Sequence, residues 1–242
     1  MAERKLQGAD KGVLSVPDGN GPVIARPGEP VQTLAESVAS RIREQVISGR
    51  LTPGSHLSEL TLSDEMQVSR NTLREVFRIL TKEGLLRYEA NRGVFVSTPS
   101  MATIIDIYRV RRVIECSAIA NAHPRHPGVA KMRAAVEAAA LSRETKDWLS
   151  VGTADIAFHS AVVELADSSR LSAFYAQISL ELRLVFGLLR DPELLHGPFI
   201  DQNLEILTEL EAGRAQEASI MLEAYLLRAE RLILGAYARV TK

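Results

Sequence analysis

The stretch Ser69-Arg70-Asn71-Thr72-Leu73-Arg74-Glu75-Val76-Phe77-Arg78-Ile79-Leu80 has the pattern of a helix that presents cations to an anionic partner. Its apolar residues recur at the spacing i, i+3, i+4 and i+7, which marks one buried helical face: Leu73, Val76, Phe77 and Leu80. A helix N-terminus favours acidic side chains, yet both Arg70 and Arg74 come before the first acidic residue, Glu75. Such a positive end would suit phosphates and base edges, although an ordinary solvent-exposed amphipathic helix has a similar pattern.

The flanking sequence has the order of a winged helix-turn-helix domain, which we place at residues 31–98. A first helix is predicted from apolar residues spaced by four: Leu34, Val38, Ile42 and Val46. Ser58 is a suitable N-cap for a second helix that ends near Met66. Two strands, at about 85–88 and 93–97, would form a β-hairpin. Because 9 basic residues balance 8 acidic ones over positions 33–97, DNA binding would depend on where the cations lie.

Composition restricts the class of protein. The 242 residues are 46% hydrophobic and carry a net charge of −1, so any basic surface must be local. A single cysteine, Cys116, allows no intrachain disulfide and favours a reducing compartment. The N-terminus lacks the apolar region of a secretory signal, and no apolar run approaches the ~20 residues that span a bilayer. We therefore expect a cytoplasmic protein without a membrane partner.

Two further segments complete the predicted organisation. Residues 1–30 are rich in Gly and Pro with balanced charges, which predicts a flexible N-terminal arm. Residues 101–240 show six helical segments with short links and no strand pattern. The fold class is therefore mainly α: a winged helix-turn-helix followed by an all-α bundle for ligand binding and dimerisation.

The first half resembles the DNA-binding domain of GntR-family transcription regulators. The resemblance rests on motifs with intact spacing: residues 47–54, Leu57, Glu59, Val68-Ser69-Arg70, Leu73-Arg74-Glu75, Leu80, Glu83-Gly84-Leu85 and 92–96. It implies that the start of the third helix contacts an operator through Ser69, Arg70, Asn71, Thr72 and Arg74. It also implies that Arg92-Gly93 at the wing tip reaches the minor groove. Asn71-Thr72 departs from the pattern of many relatives, which leaves the operator sequence open.

The second half resembles the all-helical FCD-type effector domain of the FadR subfamily. The motifs are Tyr108 to Glu115, Asp155-Ile156-Ala157-Phe158-His159 and Glu211-Ala212-Gly213. Asp155 and His159, at i and i+4, are either half of a metal site or an exposed polar pair. Many subfamily members hold a divalent metal with one Asp and three His, and the two other ligand positions fall here on Asn203 and Tyr225. Because an amide and a phenol are poor metal ligands, we expect no required cofactor and at most a weakly held divalent ion.

The same resemblance assigns an effector pocket. It implies that Arg111 pairs there with a carboxylate, beside Asp155, His159, Asn203 and Tyr225. We favour this role for Arg111 over that of a surface residue paired with Glu115, and Arg112 is an alternative inward-facing residue. His196 is a remote substitute for a lost metal ligand.

These inferences predict a homodimeric repressor that binds a palindromic DNA operator and senses a small organic acid. One alternative keeps this fold and binds an acyl-CoA. The other is a metal-dependent enzyme in the helical half with the winged helix as an interaction module. No catalytic triad or phosphate-binding glycine loop supports an enzyme.

Overall fold

The computed structural model describes residues 33–189 and 191–240, and the arm predicted at 1–30 lies outside them. The described part of the first half contains three helices and three short strands: α1 (Leu34–Ile47), β1 (His56–Leu57), α2 (Glu59–Met66), α3 (Arg70–Lys82), β2 (Leu86–Glu89) and β3 (Gly93–Val96). The predicted apolar stripe of α3 packs against α1 in a closed core, to which α1 contributes Val38, Ile42 and Val46, whereas Leu34 of the predicted α1 stripe is exposed. Ser58 and Ser69 cap α2 and α3 as predicted, each by accepting a backbone N–H bond.

The three strands form an antiparallel sheet in the order β1-β3-β2. In the hairpin, Leu86 pairs with Val96 and Glu89 pairs with Gly93, so both strands lie close to their predicted bounds. Strand β1 was absent from the sequence prediction, because a two-residue strand is too short to show an alternating pattern. It adds Leu57 to the core through its pairing with Val94.

The second half is an all-helical bundle, as predicted. Its helices in the described residues are α4 (Met101–Ala120), α5 (Pro127–Glu144), α6 (Trp148–Glu164), α7 (Ser169–Leu189), α8 (Pro192–His196), α9 (Ile200–Glu211) and α10 (Ala215–Val240). Helix α6 packs along α5, and α4 packs along α10. The short helix α8 was expected to be a link. It forms because Asp191 caps it and Pro192 occupies its first turn.

Helix α7 connects the two halves. Its residue Leu184 is buried in the winged-helix core, whereas Leu182 and Val185 belong to the bundle core. Among the described helices, α7 meets the length and composition of a membrane span. Its apolar residues nevertheless pack against α1 and the bundle, and it carries Glu181 and Arg183. We therefore interpret α7 as the helix that packs against both halves rather than as a membrane span.

Candidate functional site

The predicted DNA-contacting end of α3 lies on the surface. Arg70, Asn71 and Arg74 are exposed, while the apolar stripe on the opposite side of α3 is buried. Arg74 lies 3.2 Å from Glu59 in an exposed ion pair. Within the described ranges, Arg70 forms no ion pair. A helix N-terminus flanked by exposed guanidinium groups can bind backbone phosphates.

Ser69 and Thr72 at the same end of α3 are bonded to each other. The Ser69 hydroxyl accepts the backbone N–H of Thr72 at 3.1 Å, and the two hydroxyl oxygens lie 2.9 Å apart. This contact closes the first turn of α3. It leaves Arg70 and Asn71 as the residues that extend from the helix start without this constraint.

The tip of the wing needs its glycine. Gly93 has a φ of +98°, and a Cβ there would lie 2.9 Å from Nε2 of His56. The guanidinium of Arg92 lies over the Phe95 ring, 5.3 Å from its centroid, and it bonds to Glu89. Since exposed ion pairs contribute little stability, a DNA phosphate can replace Glu89 as the partner of Arg92.

Four predicted effector residues come together inside the bundle, around the carboxylate of Asp155. Its Oδ1 accepts hydrogen bonds from Asn203 Nδ2 at 3.0 Å and from the Tyr225 hydroxyl at 2.9 Å. His159 Nε2 lies 3.7 Å from the same oxygen. All four are buried. The alternative of an exposed Asp155–His159 pair is therefore wrong, because the face of α6 that carries them points into the bundle.

Arg111 joins this cluster through Glu115. Arg111 Nε donates to Glu115 Oε1 at 2.7 Å, and Tyr175 donates its hydroxyl to the same oxygen at 2.6 Å. The other oxygen, Oε2, lies 2.6 Å from His159 Nδ1. The predicted Arg111–Glu115 pair thus exists, but it is buried rather than on the surface. Arg112, the alternative inward residue, instead pairs with Glu230 at the edge of the bundle.

The charges in this cluster compensate one another. Burial alone would raise the pKa of Glu115, but the charges of Arg111 and His159 outweigh it and lower that pKa to about 2. Asp155 follows the same logic: burial opposes ionisation, while His196 and His159 hold its pKa below the ordinary range. The pKa of Tyr225 is raised by burial and by Asp155, so it remains a neutral donor. We refer to Arg111, Glu115, Asp155, His159, Tyr175, His196, Asn203 and Tyr225 as the polar cluster.

Hydrogen bonding in the polar cluster is incomplete. In the described residues, three buried polar atoms have no partner: Arg111 Nη2, His159 Nε2 and Asn203 Oδ1. The first is a donor, the last is an acceptor, and an imidazole nitrogen can be either. Since an unpaired buried polar group is costly, these three atoms are the positions in the cluster where a further polar partner would be favourable.

The donor set does not fit a resident divalent metal. Asp155 Oδ1 is already bonded to Asn203 and Tyr225, and an amide and a neutral phenol are poor metal ligands. Among the residues that the structure describes, no group of three or more His, Cys, Asp or Glu side chains is arranged to hold a metal ion. Where the family resemblance implies metal ligands, Asn203 and Tyr225 instead donate hydrogen bonds to Asp155, and His159 Nε2 is unpaired within the described part of the chain.

Glu115 and Tyr175 of the polar cluster were not predicted as site residues, and His196 was considered only as a remote substitute for a metal ligand. Glu115 was considered only as a surface partner, and Tyr175 was not singled out. His196 lies in a Pro- and Gly-flanked segment with no periodic signal, yet its Nδ1 lies 3.7 Å from Asp155 Oδ2. The spacing of Arg111, Glu115 and Tyr108 along one face of α4 was the available signal for Glu115. No local pattern pointed to Tyr175 or His196.

Comparison with known proteins agrees with both halves. Residues 34–96 match the family of bacterial regulatory proteins called gntR, and residues 106–228 match the FCD domain. A crystal structure of a GntR regulator from Rhodococcus sp. RHA1 is 39% identical, covers 84% of this chain and 98% of its own, and superposes with a TM-score of 0.81.

Curated relatives are more distant. The Nta operon transcriptional regulator of Aminobacter aminovorans is 30% identical over 57% of this chain and 66% of its own length. The transcriptional repressor RspR of Escherichia coli K12 is 25% identical over 75% of this chain and 81% of its own length. For the first curated relatives matched, the chain spans 36% and 66% of their length. The two family matches together cover most of the described residues, and on this evidence the chain belongs to the GntR family of bacterial transcription regulators, with an FCD domain as its helical half.

Proposed function

We propose that this regulator binds an inverted-repeat DNA operator as a homodimer, and that a small carboxylate metabolite in the polar cluster changes its affinity for that operator. Membership of the family makes the chain a DNA-binding transcription regulator rather than an enzyme, which removes the alternative of a metal-dependent helical enzyme. The proposal requires no cofactor and no membrane, and the protein acts in the cytoplasm as a repressor.

The exposed end of α3 supports the DNA-binding mode. Arg70 and Asn71 would read base edges in the major groove, while Arg74 and the hydroxyls of Ser69 and Thr72 contact the backbone. Arg92 at the wing tip would enter the adjacent minor groove. The exposed pairs of Arg74 with Glu59 and of Arg92 with Glu89 would be exchanged for phosphate contacts.

The single observation that carries the effector proposal is the unpaired Nη2 of Arg111 deep in the bundle. Its guanidinium uses Nε for Glu115, whereas Nη2 has no partner among the described residues, and His159 Nε2 and Asn203 Oδ1 in the same cluster are also unpaired. A carboxylate is the group that best satisfies a guanidinium N–H. An adjacent hydroxyl would donate to Asn203 Oδ1, so a hydroxy acid is the preferred class.

A groove between α4 and α7 supports dimerisation. It has a volume of about 540 Å³ and is bordered by Val113 on α4 and Leu171 on α7. Val113 is 73% exposed, and Phe174, one turn beyond Leu171, is 45% exposed. Apolar side chains grouped on adjacent helices are typical of subunit contacts. A two-fold axis here would match the two-fold symmetry of a palindromic operator.

Selection of binding sites from a random DNA duplex library tests the DNA-binding mode, and sedimentation of the free protein tests the dimer. An inverted repeat and a dimeric mass are expected. A thermal-shift screen of hydroxy acids, other organic acids, acyl-CoA esters and divalent cations then tests the effector, with Arg111→Ala as the control. Stabilisation by a hydroxy acid that Arg111→Ala abolishes supports the proposal. Stabilisation by acyl-CoA esters alone would contradict the proposal and identify acyl-CoA esters as the effector class.

A further inference from the structure

A second cavity, of about 210 Å³, lies where the winged helix meets the bundle. The end of α1 contributes Val46 and Ile47 to one side of it. The bundle contributes Trp148 at the start of α6, Phe186 on α7 and Pro192 on α8. We call it the junction cavity. Its lining is mainly apolar, so a ligand there gains by removing apolar surface from water.

Arg183 is the cation of the junction cavity. Its side chain lies on α7, is only partly exposed, and donates one hydrogen bond, from Nη1 to Thr153 Oγ1 at 3.3 Å. Across the described residues, no carboxylate lies within ion-pair distance of this guanidinium. Burial lowers the pKa of Arg183, and attraction from Asp155 opposes this only in part. The cavity therefore contains a positive charge without a matching negative one.

His196 separates the junction cavity from the polar cluster. Its ring packs edge-on against Phe186, with the ring centroids 4.6 Å apart, and lines the cavity. Its Nδ1 faces Asp155 on the other side. The ring lies so close to α6 that a Cβ on Gly152 would be 2.7 Å from Nε2. The two sites are thus adjacent but distinct, with one imidazole as the shared wall.

We propose that the junction cavity binds a small amphipathic carboxylate, with its carboxylate paired to Arg183 and its short apolar chain against Trp148, Phe186 and the end of α1. The guanidinium supplies the charge complement, and the apolar walls supply the remaining affinity. Drug-sized ligands use sites of ~300–1,000 Å³, whereas a cavity of ~150 Å³ holds benzene. A chain of about six carbons is therefore the appropriate size.

A ligand in this position would contact both functional halves at once. Val46 and Ile47 belong to the winged helix, whereas Arg183 and Phe186 belong to α7 of the bundle. Such a ligand binds best to one relative placement of the two halves and so shifts the population toward it. The site lies outside the polar cluster and gives the regulator a second input.

Intrinsic fluorescence provides a local readout, because Trp148 is the only tryptophan in the chain and lines the cavity. We would titrate the full-length protein with hexanoate and, as an uncharged match, with 1-hexanol. Hexanoate should give a saturable change, with an affinity about tenfold or more above that of hexanol. Equal affinities, or no saturable change with hexanoate, would overturn the proposal.

Two variants locate the ligand. Arg183→Met keeps the length of the side chain but removes its charge, so hexanoate affinity should fall about tenfold while hexanol affinity stays the same. Gly187 lines the cavity, and an added Cβ there would meet Pro53 at an ordinary 3.6 Å, so Gly187→Leu should obstruct the cavity and abolish both signals. Thermal melts confirm that each variant is folded before its titration is interpreted.

Tyr225→Phe is the control in the polar cluster. It removes the hydrogen bond to Asp155, and Tyr225 is not among the residues that line the junction cavity. Hexanoate binding should remain within twofold of the original. If Tyr225→Phe abolishes the signal and Arg183→Met leaves it unchanged, hexanoate binds in the polar cluster and the junction site is rejected. DNA binding and hydroxy-acid binding are measured in separate experiments, so a negative result with hexanoate would not contradict the proposed function.

Discussion

Tyr225 donates its hydroxyl to Asp155 Oδ1 at 2.9 Å, across the centre of the bundle. In the FCD pattern that the sequence resembles, both positions are metal ligands. Here a neutral phenol and a carboxylate satisfy each other, and the pKa of Tyr225 is raised, which disfavours the phenolate that a metal would need. The bundle is therefore held at this point by hydrogen bonds between side chains.

Replacing Asn203 and Tyr225 together with histidine should create a metal site. The double variant would add two imidazoles to that of His159 beside Asp155, a set that holds about one divalent ion per chain. Elemental analysis after dialysis against zinc measures the gain. The matched control combines Asn203→Gln with Tyr225→Phe, and its metal content should remain near that of the wild type. An unchanged metal content in the histidine variant would show that these positions do not converge on Asp155.

Arg70→Ala should weaken operator binding by ~1–3 kcal/mol, because it removes an exposed guanidinium at the start of α3 without disturbing the core. The measurement is a gel shift at fixed salt on the selected inverted repeat. Arg231→Ala, an exposed arginine on α10, is the matched control and should bind DNA normally. If the two variants behave alike, Arg70 has no role in recognition.

Glu115→Gln should destabilise the protein by about 3–5 kcal/mol, since it leaves the buried charge of Arg111 without its partner. It should also flatten the acid limb of the stability profile. The folded pKa of Glu115 is lowered from 4.5 to about 2, so its contribution is complete above pH 4.5 and is lost as the pH falls through about 2.

Chemical denaturation between pH 7 and pH 3 measures both effects. Glu164→Gln, which removes an exposed partner of Lys131, serves as the control and should cost less than about 1 kcal/mol. An acid limb in Glu115→Gln as steep as in the wild type would mean that other carboxylates cause the loss of stability.

The parts of this fold that could be predicted are those whose sequence pattern lies within a single helix. The stripe from Leu73 to Leu80 and the cap at Ser69 lie within one helix, and so does the pair Asp155 and His159. What was missed depends on which elements meet. His196 enters the polar cluster only because α8 packs against α6, and Tyr175 enters it because α7 crosses α4. No spacing within α8 or α7 records those contacts.

Leu184 offers a test of how the two halves are joined. It is a residue of α7, but it is only 2% exposed and its side chain completes the core formed by α1, α3 and β3. Leu184→Ala should therefore cost about 2–5 kcal/mol through the cavity it leaves. The loss should concentrate in the winged helix, because the bundle core keeps its own contacts through Leu182 and Val185.

Hydrogen exchange resolves where that loss occurs. Backbone amides of residues 34–96 should exchange faster in Leu184→Ala, while those of α5 and α6 keep their protection. Leu141→Ala is the matched control, since Leu141 is 66% exposed on α5 and its truncation should change neither region. If Leu184→Ala instead accelerated exchange in α5 and α6 and left the winged helix unchanged, Leu184 would stabilise the bundle. Helix α7 would then not be the element that holds the DNA-binding half in place.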